Sequence, residues 1–282
     1  MGLRINTNVA SINAQRNATD RSEKVSRSFE RLSSGLRINR ASDDAAGLAI
    51  AKKIEAKTLG FQQAKRNSMD AISMVQTAEG GLNESGNILS RLRELAVQAA
   101  SDTIGNDERE FLHMEYDALV KESKRIAEGL EFNGIKLLSG ADGNPDIDVM
   151  DFQVGIGNNP DIDRYTFNPN DADARPEAIG IEGSGVSRKE DAQNAIAGVD
   201  KGIMAVAGMR AKFGALQNRL QSTIRNISIS VENMSSAQSR VLDADIALET
   251  SNLAKDSILT EASTSVLAQA NRSNAVALKL IG

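Results

Sequence analysis

Few side chains in this sequence could carry out bond-making chemistry. His113 is the only histidine and cysteine is absent, so no nucleophile–base relay, histidine metal cluster or thiolate site can be assembled. The spacing of Asp142, Asn144, Asp146 and Asp148 suggests a calcium loop, but its sixth position is Ile147 and its twelfth is Gln153, where glycine and glutamate are needed. Gly180, Gly183 and Gly185 follow no strong strand and lack the lysine of a phosphate-binding loop. The sequence therefore predicts a protein that is not an enzyme and uses no cofactor or metal.

What remains is charge at two places. Arg37, Arg40, Asp43 and Asp44 lie in the stretch Leu32–Ala51, between a helix stop and a helix start. Gly35 suits the left-handed residue that closes a helix, and Ser42, Asp43 and Asp44 supply oxygens that cap the next one. These four charges face either the helix terminus or a neighbouring subunit. The second place is Arg91, Arg93 and Glu94 beside Leu92 and Leu95, with Glu115 on the next helix; its plain reading is a solvated charged face.

The elements that position these groups are helices. A first helix over about 3–32 carries a thin stripe of Ile5, Val9, Ile12, Ala18, Val25, Phe29 and Leu32. After the connector, Phe61, Ala64, Ser68, Ala71, Val75, Ala78, Leu82, Ser85, Leu89, Leu92, Ala96 and Ala99 alternate by three and four. That seam predicts one long helix, bent near Gly80-Gly81, followed by a shorter helix capped by Asp107 and running to about Glu128. Residues 130–187 then turn rich in Gly, Asn, Asp and Pro, and contain all four prolines. Alternating runs at 147–154 and 165–167 predict small β-hairpins in an exposed, acidic knob. The heptad seam returns from Ala192 to Val241, and a last helix over about 244–280 places Leu253, Leu259, Ala262, Val266, Ala270, Ala277 and Leu280 in a stripe.

Composition agrees. Of 282 residues 40% are hydrophobic but only 3% aromatic, so aliphatic helix seams must supply the core. A helix from 44 to 100 would be roughly 80 Å long, whereas a compact chain of this length has a radius of gyration of only about 19 Å. The fold expected is mainly α, an elongated bundle or coiled coil formed by the N- and C-terminal arms, with the knob in the middle of the chain. Its four parts are residues 1–43, 44–187, 188–243 and 244–282. The net charge of −5 argues against a nucleic-acid binder, and no run of about 18 apolar residues offers a membrane insertion. No cleaved signal peptide is visible at the start.

The wording of both arms resembles bacterial flagellin. INTNVASINAQ, LSSGLRIN, DDAAGLAIA, AISMVQTAEGGLNE and LRELAVQAA carry the likeness on one side. ALQNRL, SRVLDADIALETSNLAK and ILTEASTSVLAQAN carry it on the other. The resemblance implies a secreted, extracellular structural subunit that polymerises with itself into the helical filament of the bacterial flagellum and serves motility. A flagellin-like hook–filament junction protein is the alternative, though such proteins usually carry a proline just after the paired aspartates, where this chain has Ala45. It further implies that 1–43 and 244–282 form an inner tube and 44–243 the tube around it. Its implied partners are an export chaperone, cap and junction proteins, and Toll-like receptor 5, recognised through Arg91, Leu95 and Glu115. The resemblance makes Arg37, Arg40, Asp43 and Asp44 the assembly joint between the two tubes.

Overall fold

The computed structural model describes residues 7–140 and 149–279. Ile5, Leu280 and the candidate calcium ligands Asp142, Asn144, Asp146 and Asp148 lie outside them. The described chain is mainly helical. In order it runs α1 (Val9–Ser34), α2 (Ala45–Ala99), α3 (Asn106–Gly129), β1 (Glu131–Phe132), β2 (Ile135–Lys136), β3 (Met150–Gln153), α4 (Pro160–Asp163), β4 (Arg164–Phe167), a 3-10 turn (Pro169–Ala172), α5 (Pro176–Ile179), α6 (Lys189–Leu242) and α7 (Ile246–Lys279). No helix is long and apolar enough to cross a membrane, among the described residues.

Two compact units emerge, 1–58 with 232–282 and 59–231. They part inside α2 and α6, so both long helices run through the division, whereas the helix breaks fall at the two connectors.

In the second unit the α2 seam is realised: every seam residue from Ala64 to Ala99 is buried. From α6, Ala192, Val199, Val206, Phe213 and Leu220 close the core from the other side. As expected, α2 runs through Gly80-Gly81 as one helix of 55 residues. Gly81 also has a packing reason. A Cβ there would stand 2.6 Å from Leu130 Cδ2 and 2.8 Å from Leu138 Cδ1, so a larger residue would force these leucine ends to shift.

The α2–α3 corner is held by a residue the sequence did not single out. Arg109 is buried, and its guanidinium donates to the carbonyls of Ala99 (2.7 Å) and Ser101 (3.0 Å) and to Asn106 Oδ1 (2.9 Å). It thus satisfies carbonyls left open where α2 ends. Asp107 is not the cap of α3. Gly105 occupies that position, and Asp107 lies in the first turn, where its charge suits the helix dipole.

The middle segment also departs from expectation. β1 and β2 form a two-residue hairpin around Asn133 (φ 52°) and Gly134 (φ 79°), and β3 pairs antiparallel with β4. The expected small hairpins are present, and the segment also contributes to the main core: Leu137, Leu138, Ala174, Ile181 and Val186 are fully buried, and Phe167 stacks on Phe213 of α6 with centroids 5.4 Å apart.

In the first unit α1 and α7 lie antiparallel, as paired residues Asn8–Ala270, Arg21–Asp256 and Ser28–Glu249 show.

Candidate assembly joint

The joint begins where α1 ends. Gly35 takes the left-handed conformation (φ 71°) and its N–H reaches the Arg31 carbonyl at 2.8 Å. The following residues are not a free connector. Leu36 bridges Asp243, Arg37 N–H donates to Leu242 O (2.6 Å), and Ala244 N–H donates to Gly35 O (2.9 Å). The break between α1 and α2 is therefore stitched to the break between α6 and α7. The sequence places this second break at 243/244 but not its pairing with the first. Asp245 Oδ1 accepts from the N–H groups of Ala247 (2.9 Å) and Leu248 (3.1 Å), an ordinary N-cap.

Each of the four expected joint residues has a local partner. Arg37 donates to Val241 O at 2.9 Å, placing positive charge at the C-terminal end of α6. Arg40 pairs with Glu30 at 2.9 Å. Asp44 is the cap of α2, its Oδ1 accepting from Gly47 N–H at 2.8 Å. Asp43 instead turns back: its Oδ2 accepts from Asn39 N–H (3.1 Å) and Arg40 N–H (3.0 Å). Those backbone bonds, Arg40's first and Asn39's next, hold its carboxyl below the usual aspartate range. Ile38, between the charges, is buried and packs where a Gly47 side chain would be, 2.7 Å from its Cδ1.

The α1–α7 pair departs most from the predicted stripes. Its inner row on α1 is Ser11, Ala14, Ala18, Arg21, Val25, Ser28 and Leu32, all buried or half-buried. The matching row on α7 is Glu249, Leu253, Asp256, Thr260, Ser263, Leu267 and Ala270. Both alternate by three and four, and their occupants mix Val25, Leu32, Leu253 and Leu267 with small and polar residues. Further large apolar residues are outside: Val9, Ile12 and Phe29 (58% exposed) on α1, Ile246, Leu248 (61%), Ile258 and Val266 (59%) on α7. Of the predicted α7 stripe, Ala262 and Val266 face away from α1. The expected stripes hold in part: Ala18, Val25, Leu32, Leu253 and Ala270 lie in the inner rows, whereas Val9, Ile12, Phe29, Ala262 and Val266 are exposed.

The second charged place is built as an exposed cluster. Arg91 donates through Nε and Nη2 to Glu115 Oε1 (3.0 and 2.9 Å) and through Nη1 to Glu94 (2.9 Å), which pushes its pKa up, Glu115 contributing most. Leu95 does not share that surface. It belongs to the buried row of α2 and is 0% exposed, so no ligand reaches it in this structure. Arg93 lies apart, paired with Asp200 of α6 at 2.7 Å. His113 is half-buried, its Nδ1 accepting from Val186 N–H at 3.4 Å.

Comparison with known proteins fits these arms. The bacterial flagellin N-terminal helical region matches residues 5–142, and the C-terminal helical region matches 196–281. The chain is 40% identical to a flagellin of Halalkalibacterium halodurans over 277 residues, covering 98% of this chain and 99% of that one. It is 40% identical to a flagellar filament core protein of Brachyspira hyodysenteriae over 282 residues (98% and 99%), and 38% identical to a flagellin of Bacillus subtilis over 306 residues (99% and 100%). Among solved structures, a crystal structure of Bacillus cereus flagellin aligns at TM-score 0.50 and 29% identity, over 61% of this chain and 94% of that one. A flagellar hook-associated protein of Vibrio parahaemolyticus aligns at TM-score 0.57 but only 15% identity (71% and 100%), a likeness of fold alone. With both helical arms matched and relatives aligned from end to end, this chain belongs to the bacterial flagellin family.

Proposed function

We propose that the chain is a structural subunit that polymerises with copies of itself into the helical filament of a bacterial flagellum and catalyses no reaction. The observation that carries this reading is the apolar surface left uncovered on the α1–α7 pair. Its seam mixes polar, small and apolar residues while Phe29, Leu248, Ile258 and Val266 stay exposed. Apolar side chains presented together on a surface mark an interaction face, and repeated head-to-tail or side-to-side contact between identical subunits builds an open helix.

In this reading 1–43 and 244–282 form the inner tube, 44–243 the outer one, and the stitched connectors hold the subunit's shape where the two meet. The subunit is exported to an extracellular filament, with a chaperone, cap and junction proteins as partners. The Arg91–Glu115 cluster is the surface offered to Toll-like receptor 5, with Leu95 acting only as support beneath it. Deleting residues 1–33 or 244–282 is the decisive experiment. Each truncated protein should stay folded, by circular dichroism, yet form no filaments in the electron microscope; filaments from either would overturn the proposal.

A further inference from the structure

The α1–α7 seam contains carboxylates where a helix pair ordinarily places apolar residues. Glu249 is 8% exposed, its Oε1 accepting from the Ser28 hydroxyl at 2.6 Å and its Oε2 lying 3.8 Å from Arg31 Nη1. One heptad along, Asp256 Oδ1 accepts from Arg21 Nη1 at 3.0 Å. Because both inner rows repeat every seven residues, sliding one helix by a heptad returns small or apolar groups to the same rows. Packing of the two rows therefore discriminates poorly between alignments, and the backbone bonds between Gly35–Arg37 and 242–244 fix only one end.

The polar pairs do discriminate. A slip of seven residues in one direction brings Glu249 opposite Arg21, but sets Asp256 against the methyl of Ala14. A slip in the other direction gives Asp256 the Ser28 hydroxyl, but carries Glu249 to Gly35, past the end of α1. Each slip strips one carboxylate of its donor in a partly dehydrated seam, which is costly. Only the observed alignment satisfies both.

We infer that Ser28–Glu249 and Arg21–Asp256 are a register key, selecting one alignment of α1 with α7 when the apolar pattern would accept several. Polar groups at core positions of coiled coils set register in this way at some cost in stability. The key is independent of what the outer apolar face binds, so it does not rest on the filament reading.

The absence of cysteine makes disulfide mapping on the full-length protein clean. Ala14→Cys with Ser263→Cys reports the observed alignment, and Ala14→Cys with Ala270→Cys or Ala18→Cys with Leu253→Cys reports a slip in either direction. Intramolecular cross-linking of the first pair should exceed the other two at least tenfold. With Glu249→Leu and Asp256→Leu added, the three yields should come within about threefold of each other while helix content is kept. A charge swap guards against simple misfolding. Arg21→Asp alone should lower the in-register yield, and Arg21→Asp with Asp256→Arg should restore it. An unchanged preference in the double-leucine variant, or no restoration by the swap, overturns the key.

Discussion

Leu95 separates a surface reading of the long helix from a core reading. It is fully buried on α2, while Arg91, one turn before it, and Glu115 are exposed and paired. Leu95→Ala removes three carbon-sized groups, worth about 2.4 kcal/mol in transfer at ~0.8 kcal/mol each. The cavity left in a packed core raises the expected loss to roughly 3–4 kcal/mol. In a unit of this size each kcal/mol moves the melting temperature by about 2–4 °C, so a fall on the order of 10 °C is expected. Arg91→Ala and Glu115→Ala break only an exposed ion pair and should leave the melt nearly where it was. The assay is urea and thermal unfolding of the unassembled protein, followed by helix ellipticity. Any receptor-binding loss in Leu95→Ala should then track the unfolded fraction and vanish under conditions that keep the variant folded. A Leu95→Ala protein as stable as the parent, yet unable to bind receptor, would refute the argument.

Gly81→Val should destabilise the same unit by about 1–3 kcal/mol through crowding of Leu130 and Leu138, read as a lower urea midpoint; a neutral result would mean the loop yields freely. Asp44→Ala should cost about 1 kcal/mol through the lost cap, and Asp43→Ala with Asp44→Ala should lower filament yield or mechanical stability more than the monomer melting temperature. If melting falls and filaments are unaffected, the two aspartates are caps and nothing more. Asp43 has its carboxyl held below the usual range by backbone donors, so its contribution is complete above the unfolded value near pH 4 and is lost as pH falls through the lower folded value. Asp43→Asn should therefore lose less stability than the parent between pH 5 and pH 2.5; equal losses would contradict the assignment.

The α2 seam was legible because a long strict alternation admits only one buried face, and burial from Ala64 to Ala99 follows it residue by residue. The helix stop at Gly35 and the start after Asp44 were legible for the same local reason: both depend on bonds within four residues. Arg109's hold on the end of α2 and the stitching of Gly35–Arg37 to 242–244 were not, because their donors and acceptors are chosen by where other segments arrive. The middle segment misled for a related reason. Its glycines, prolines and aspartates describe a surface chain, and only packing shows that Leu138, Phe167 and Ile181 turn inward. The terminal helices are the sharpest case. Hydrophobicity in the sequence put Val9, Phe29 and Val266 in one stripe with Val25, Leu32 and Leu253, since periodicity reveals which residues share a side but not what lies against it. The tertiary structure turned Val25, Leu32 and Leu253 to the helix partner beside Ser28, Glu249 and Asp256, and left Val9, Phe29 and Val266 exposed. The sequence by itself determined the helices, their breaks and the α2 core face; only the fold decided which face of α1 and α7 meets the chain's own partner helix, because that choice depends on complementarity between two surfaces rather than on the hydrophobicity of either.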